Sequence, residues 1–480
     1  MPHDTSWTPE WVKHAVFYQI FPDRFANGEP SRSPENVEPW GSPPTFHNFM
    51  GGDLKGVIDH LDYLQQLGVT AIYFNPIFQA TSNHKYNTFD YFQIDPHFGD
   101  LSRLQELLRE CHSRNIKVIL DGVFNHCGRG FYAFHDVLEN GQFSPYYKWF
   151  NIESLPVFPY DESRPANYRS WWGIRSLPQF NIWHPPVREY ILSVGRYWIE
   201  QGIDGWRLDV PNEIADHDFW REFRRMVKDI NPEAYIVGEI WQDGSPWLDG
   251  TQFDAVMNYV LRDICVEFFA KGSIGADEFG RRIDALLQHY APEVTSAQLN
   301  LLGSHDTPRF LTLAHGDLAR LKLAWLFVST YPGAPCMYYG DEIGLSGEGD
   351  PHCRGCFPWD ETQWQHELLD FVRRTTALRH EYPVLRTGDY RTLHADNSTN
   401  VYAFARTDAD SVAIVLINNH YHALTHAALP IDSLQLPDGL EFEDLLSGRR
   451  AHVQGGRLND LWVGVRSGAV LYAQRGKPAD

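Results

Sequence analysis

No stretch of the 480 residues reaches the roughly 18 consecutive apolar side chains needed to cross a bilayer, so a helical membrane span is excluded. The amino-terminal MPHDTSWTPEW has no basic start, no apolar run and no small-residue cleavage site, which sets the expectation of a soluble, cytoplasmic chain. Cysteine is scarce and scattered: the six thiols are Cys111, Cys127, Cys265, Cys336, Cys353 and Cys356, and they form no disulfide framework. Only Cys353 and Cys356 make a C-x-x-C, and without a second pair at zinc spacing they read as loop thiols. Basic charge is also short, with 41 Lys and Arg against 62 Asp and Glu for a net charge of -21. Such a surface repels phosphate backbones and anionic lipid, which speaks against nucleic acid and membrane partners. There is no internal repeat and no low-complexity segment.

What is present is an alternation. Eight short apolar runs begin at Ala15, Val69, Lys117, Gly205, Tyr235, Phe253, Ala297 and Ala334, with amphipathic stretches between them. In GVIDHLDYLQQLG, for example, Ile58, Leu61, Leu64 and Leu67 follow a helical period. Eight strands alternating with helices predict a parallel sheet closed into a (β/α)₈ TIM barrel, an open doubly wound sheet being the alternative. Two regions break the pattern. Residues 127–181 are rich in Pro, Tyr, Trp and Phe without a clear helical period, as expected of a functional insertion. After about Pro383, runs such as VYAFAR and VAIVLIN predict a separate antiparallel β-domain. The expected organisation is a tail over 1–12, a barrel over 13–126 and 182–383, an inserted domain over 127–181 and a C-terminal β-sandwich over 384–480.

In such a barrel the active site lies at the C-terminal ends of the strands. The third run ends in Asp121-Gly-Val-Phe-Asn125-His126, the fourth in Arg207-Leu-Asp209, the fifth in Glu239-Ile-Trp241 and the seventh in His305-Asp306. Any one of these acidic residues alone reads as a cap or loop anchor. Four converging on one barrel face make a catalytic carboxylate cluster. Glycoside cleavage needs one carboxylate to attack the anomeric carbon and one carboxylic acid to protonate the leaving oxygen, about 5 to 5.5 Å apart for retention. Adjacent strands can place Asp209 and Glu239 so, and Arg207, on the same side of its strand as Asp209, can keep that nucleophile ionised.

These segments resemble the conserved regions of the α-amylase family of glycoside hydrolases (family 13), and the resemblance covers nearly the whole chain. Within the family the segments from Ser82 (SNHKYNTFDYFQIDPHFG), Leu177 (LPQFN), Met337 (MYYGDEIGL) and Gly349 (GDPHCRGCFPWD) are most similar to the cyclomaltodextrinase, neopullulanase and maltogenic amylase group. The resemblance implies a barrel with an inserted domain B and a C-terminal β-sandwich. It also implies Asp209 as nucleophile, Glu239 as acid/base and Asp306 as the carboxylate that binds sugar hydroxyls. Substrate contacts are implied for Tyr86, His126, Arg207, His305, Asp350 and Arg354, with Asp121 as a support behind the reacting groups. Trp171, Trp172 and Trp241 are candidate acceptor-side aromatics, with core packing as the competing explanation.

Three departures from the family pattern stand out. The barrel begins almost at once, where relatives carry an N-terminal β-domain that builds a dimer, so the oligomeric state stays open. Asn87 replaces a common Asp. In the loop from Phe25, Arg32 and Ser33 stand where relatives have calcium ligands, and a guanidinium cannot ligate a cation. No cofactor is therefore expected, with Arg32 near Asp53 substituting for the ion. The expected activity is hydrolysis of α-1,4 linkages in cyclodextrins, maltooligosaccharides or pullulan, with transglycosylation. The alternative is a debranching or transglycosylating enzyme on branched glucans; an inactive binding relative and a metal-dependent hydrolase are the more distant competitors.

Overall fold

The computed structural model describes residues 7–475; residues 1–6 of the expected tail and the last five residues of the expected C-terminal domain lie outside the described residues. The chain forms two compact units, one built on Phe17–Met257 with Arg354–Glu361, the other on Asn258–Cys353 with residues 362–475.

In the first unit, strands β1 (Phe17–Ile20), β2 (Ala71–Phe74), β5 (Lys117–Gly122), β6 (Gly205–Leu208), β7 (Tyr235–Gly238) and β8 (Ala255–Val256) pair in parallel in the order β8-β7-β6-β5-β2-β1, and β3 (Phe78–Ala80) with β4 (Thr88–Ile94) makes a separate antiparallel hairpin. In the second unit, β9 (Leu299–Leu301) and β10 (Ala334–Tyr338) pair in parallel. All eight apolar runs of the sequence become parallel strands. They are nearly continuous hydrophobic segments because both faces are buried: β1, β2, β6, β7 and β10 are buried at every position. This is an α/β chain of the (β/α)₈ class.

Register sets the position of the strand-end residues. Ile119 lies opposite Gly205 and Gly205 opposite Tyr235, so Asp121 faces Arg207 and Leu208 faces Gly238. The ladder continues one residue beyond each strand: the Asp209 N–H donates to the Gly122 carbonyl (3.1 Å) and the Glu239 N–H to the Leu208 carbonyl (2.9 Å).

The helix expected over GVIDHLDYLQQLG is two helices, Leu54–Asp59 and Leu61–Gln66, broken at His60. The break shifts the phase, so Val57 rather than Ile58 joins Leu54, Leu61, Leu64 and Leu67 in the core. Asp53 caps the first helix, accepting from the Gly56 N–H at 2.6 Å.

The inserted segment is not without helix: Tyr132–Asn140 is helical, followed by single turns at Gly141–Phe143, Tyr147–Trp149 and Trp171–Gly173. Its aromatic richness is largely its own packing. Phe131 meets Phe180 edge-on at 5.4 Å, Phe134 meets Phe150 at 5.0 Å, and Trp149 packs against Tyr146.

Toward the C-terminus, β11 (Asp389–Asp396), β12 (Val401–Thr407), β13 (Ser411–Asn418), β14 (Leu424–Pro430), β15 (Glu441–Asp444), β16 (Arg450–Gln454), β17 (Arg457–Val463) and β18 (Ser467–Gln474) form one antiparallel sheet in the order β11-β12-β13-β18-β15-β16-β17-β14. Val412, Ile414 and Leu416 of β13 share a core with Leu458, Leu461 and Val463 of β17, so the single sheet folds over on itself to bury both inner faces.

Gly205 is where this scaffold tolerates no side chain: a Cβ there would lie 2.1 Å from the Tyr235 carbonyl oxygen in the neighbouring strand. Gly205→Ala is expected to destabilise the chain by about 1–3 kcal/mol and, by displacing β6, to lower activity as well. Thermal melts and rates of the same preparation check this; an unchanged melting temperature would contradict the register described.

Candidate active site

Arg207 is the centre of the first unit's polar cluster and is fully buried. Its Nη1 donates to both Asp121 carboxylate oxygens (2.8 and 2.9 Å) and to Asp209 Oδ1 (3.1 Å). Its Nη2 forms an ion pair with Glu239 Oε1 at 2.9 Å, off the angle of a good hydrogen bond, and its Nε meets Met257 Sδ at 3.4 Å. The guanidinium thus reaches Glu239 as well as the Asp209 expected from sequence. Burial works against its charge, but Asp121 and Glu239 outweigh that and hold its pKa above the ordinary value.

Asp121 is braced from the other side. The Tyr86 hydroxyl donates to its Oδ2 at 2.8 Å and the Tyr73 hydroxyl to the same oxygen at 3.0 Å. Burial pushes its carboxyl above the usual range, opposed by Arg207 and the two phenols. Tyr86 is itself held by Asn75, whose Nδ2 donates to the phenol oxygen (3.0 Å), and Asn75 Oδ1 accepts from Gln19 Nε2 (3.0 Å). Asn75 and Gln19 brace the cluster through Tyr86, and sequence reasoning misses them. Asn75 directly follows β2 as Asp209 follows β6, so the rule that finds Asp209 applies to it too.

Val210, immediately after Asp209, sits in the left-handed region at φ 35°, ψ 50°. For a β-branched residue this strain costs on the order of 1–3 kcal/mol. Its effect is to turn the Val210 N–H onto Glu239 Oε2 at 3.1 Å. Glu239 Oε1 also accepts from Trp241 Nε1 (3.2 Å), and Trp241 is 43% exposed. The two carboxylates are 7% (Asp209) and 3% (Glu239) exposed as whole residues, a sheltered setting in which charge interactions are strong.

His126 is buried, and burial lowers its pKa to about 4, so the imidazole is neutral across the physiological range. Its ring stacks on Trp171 at 5.5 Å, and the Asn125 amide at 3.3 Å from Nδ1 is positioned by Gln179 Nε2 (2.7 Å to Asn125 Oδ1). Arg354 is buried, with its guanidinium 5.4 Å from the Phe21 ring centre and its carbonyl accepting from Arg24.

In the second unit, Asp306 follows β9 with its side chain 31% exposed, and His305 Nε2 lies 3.1 Å from Asp306 Oδ2. The Cys353 thiol donates to the His305 carbonyl at 3.1 Å, which gives one member of the C-x-x-C a structural task. Asp350 is an exposed loop residue. All six thiols are free and buried, and among the described residues no group of three or more His, Cys, Asp or Glu is arranged to hold a metal ion.

The loop from Phe25 is built differently from the expectation that Arg32 lies near Asp53. Arg32 pairs with Glu29 (2.9 Å) and Asp100 (3.0 Å) instead. The Asp53 carboxylate is taken by the N–H groups of Gly28, Glu29 and Gly56. Asn27 donates to Ser33 Oγ at 3.0 Å. Arg32 already occupies the Glu29 and Asp100 carboxylates, and a guanidinium in this loop offers a cation no lone pair.

Asp121→Asn keeps the shape of the cluster but removes the charge that Arg207 grips twice. Breaking such a buried pair costs about 3–5 kcal/mol, and the freed guanidinium swings toward Asp209 and Glu239. Both stability in urea and turnover are expected to fall; full turnover in this variant would show that Asp121 is dispensable.

Comparison with known proteins agrees with this geometry. Residues 19–380 match the model of the alpha amylase catalytic domain. The chain is 51% identical over 449 residues to a cyclomaltodextrinase of Geobacillus thermopakistaniensis, covering 93% of this chain and 75% of the relative. It is 48% identical to neopullulanase 2 of Thermoactinomyces vulgaris, covering 98% and 79% of the two chains. Among solved structures, the ligand-free cyclic alpha-maltosyl-(1→6)-maltose hydrolase of Arthrobacter globiformis superposes with a TM-score of 0.88 at 42% identity, covering 97% of this chain and all of that one. A carboxylate cluster at the ends of parallel strands, a family match across three quarters of the chain and relatives at about half identity lead to one conclusion: this chain belongs to the alpha-amylase family of glycoside hydrolases.

Proposed function

We propose that the chain is a retaining glycosidase acting on α-1,4-glucosidic bonds of cyclodextrins, maltooligosaccharides or pullulan. The observation that carries this is the pairing of Asp209 and Glu239 at hydrogen-bonded ends of adjacent strands, both gripped by Arg207. Asp209 attacks the anomeric carbon as the C–O bond to the leaving sugar breaks, and Glu239 delivers its proton to that oxygen. The resulting glycosyl ester on Asp209 is opened by water, or by a sugar hydroxyl in transglycosylation, whose proton returns to Glu239. One guanidinium facing three carboxyl groups cannot neutralise them all, so the cluster favours keeping one proton, which this mechanism uses. Asp306 binds hydroxyls of the reacting sugar with His305 beside it. Neutral His126 and Tyr86 contact the same ring, and Asp350 and Arg354 the next one.

A second reading, cleavage of α-1,6 bonds in branched glucans on the same machinery, is favoured by the Arthrobacter relative, whose name specifies a (1→6)-linked cyclic substrate. We further propose that no calcium is needed, on the strength of the Arg32–Glu29–Asp100 set.

Proton NMR of the first product formed from cyclodextrin, pullulan and a branched glucan tests the mechanism and the bond preference together. The α-anomer is expected to appear first, and Asp209→Asn to lose about 10⁴-fold or more in turnover. A β-anomer as first product, or an active Asp209→Asn enzyme, would overturn the assignment. Activity after exhaustive chelation is expected to be unchanged, and a loss restored by calcium would refute the calcium-free loop.

A further inference from the structure

Most aromatic side chains of the inserted segment are spent on its packing, but Trp172 is 78% exposed. It is not a stray surface side chain. Trp172 stacks face to face on Trp171, with centroids 4.6 Å apart and planes 11° apart, and Trp171 stacks on His126 at 5.5 Å and 26°. Three nearly parallel rings therefore run from solvent to an imidazole of the candidate active site, and the outermost ring is covered on one face only. Trp171 Nε1 has no acceptor among the described residues, so ring stacking rather than a hydrogen bond sets the pair's position.

The backbone is bent to achieve this. Trp172 adopts φ 49°, ψ 26°, a left-handed conformation that a bulky residue occupies only at a cost and glycine without one. The turn is held by the Gly173 N–H to Ser170 carbonyl, Ile174 N–H to Trp171 carbonyl and Trp171 N–H to Leu177 carbonyl bonds. Its two arms are tied by the bridge between Ser170 and Pro178, and a further bridge joins His126 to Gln179. The platform is thus fixed to the loop that carries His126. Strain maintained at an exposed aromatic points to a ligand for that ring.

We infer that the open face of Trp172 stacks on a glucosyl unit of the substrate chain, at least two ring spacings out from the sugar His126 faces. This rests on the α-glucan activity proposed above. The flat indole suits the C–H face of a pyranose, and the net charge of -21 disfavours a nucleic-acid base in the same place.

Kinetics of Trp172→Gly and Trp172→Phe on maltoheptaose and maltotriose test the inference, with binding of maltoheptaose measured calorimetrically in a Glu239→Gln background. Trp172→Gly relieves the backbone, so its melting temperature is expected to be equal or higher. Its KM and its calorimetric Kd for maltoheptaose are expected to rise about tenfold, the value of one aromatic contact, with kcat and maltotriose kinetics unchanged. Trp172→Phe should retain most of the affinity. An unchanged KM for maltoheptaose, equal losses on both sugars, or an effect confined to the association of two chains would overturn the platform. If the unaltered enzyme cleaves neither sugar, the α-glucan reading itself fails and the platform with it; activity on both with no effect of Trp172→Gly defeats the platform alone.

Discussion

A guanidinium with no exposure to water must be surrounded by acceptors, and Arg207 satisfies that demand by drawing three carboxyl groups around one cation. The interaction is costly to assemble and costly to break, and much of the rest of the first unit serves it. Asp121 lies opposite Arg207 because β5 and β6 are in that register, and Tyr73, Tyr86, Asn75 and Gln19 form a chain of donors that keeps Asp121 in place. A cation so placed orients Asp209 and Glu239. It also leaves the cluster with more negative charge than it can neutralise, which is the condition for one carboxyl group to hold a transferable proton.

The strain at Val210 belongs to the same arrangement. A regular continuation of β6 would send the backbone past Glu239; the left-handed turn directs the Val210 N–H at it instead. Trp241 supplies a second donor to the other carboxylate oxygen, Oε1, from the partly exposed side. Glu239 is thereby positioned by one residue that precedes it by 29 places and one two places after it, both set by strand ends rather than by loop flexibility.

Much of this is legible in the chain. The eight apolar runs are strands because burial on both faces leaves no alternation, and Asp121, Arg207, Asp209 and Glu239 stand at the ends of those runs, where a barrel places its active site. Other features are hidden because they depend on geometry that sequence spacing does not encode. Nothing in Val210 announces a left-handed backbone. The break at His60 changes which face of GVIDHLDYLQQLG is buried, so Val57 replaces Ile58. Arg32 is expected beside Asp53, but that carboxylate is saturated by three backbone N–H groups and the guanidinium finds Glu29 and Asp100. The aromatic insertion is legible as functional in composition only; packing claims Phe131, Phe134, Trp149 and Phe180, and exposure together with the stack on Trp171 marks Trp172.

The central claim is that the Arg207 cluster makes Asp209 the residue that bonds to the sugar. Trapping the intermediate with a fluorinated α-glucosyl fluoride, then peptide mass spectrometry, tests it most directly. The account predicts a single glycosyl adduct on the peptide bearing Asp209, carried by that side chain. An adduct on Glu239 or Asp306, or turnover of the reagent with inversion and no adduct at all, would contradict it.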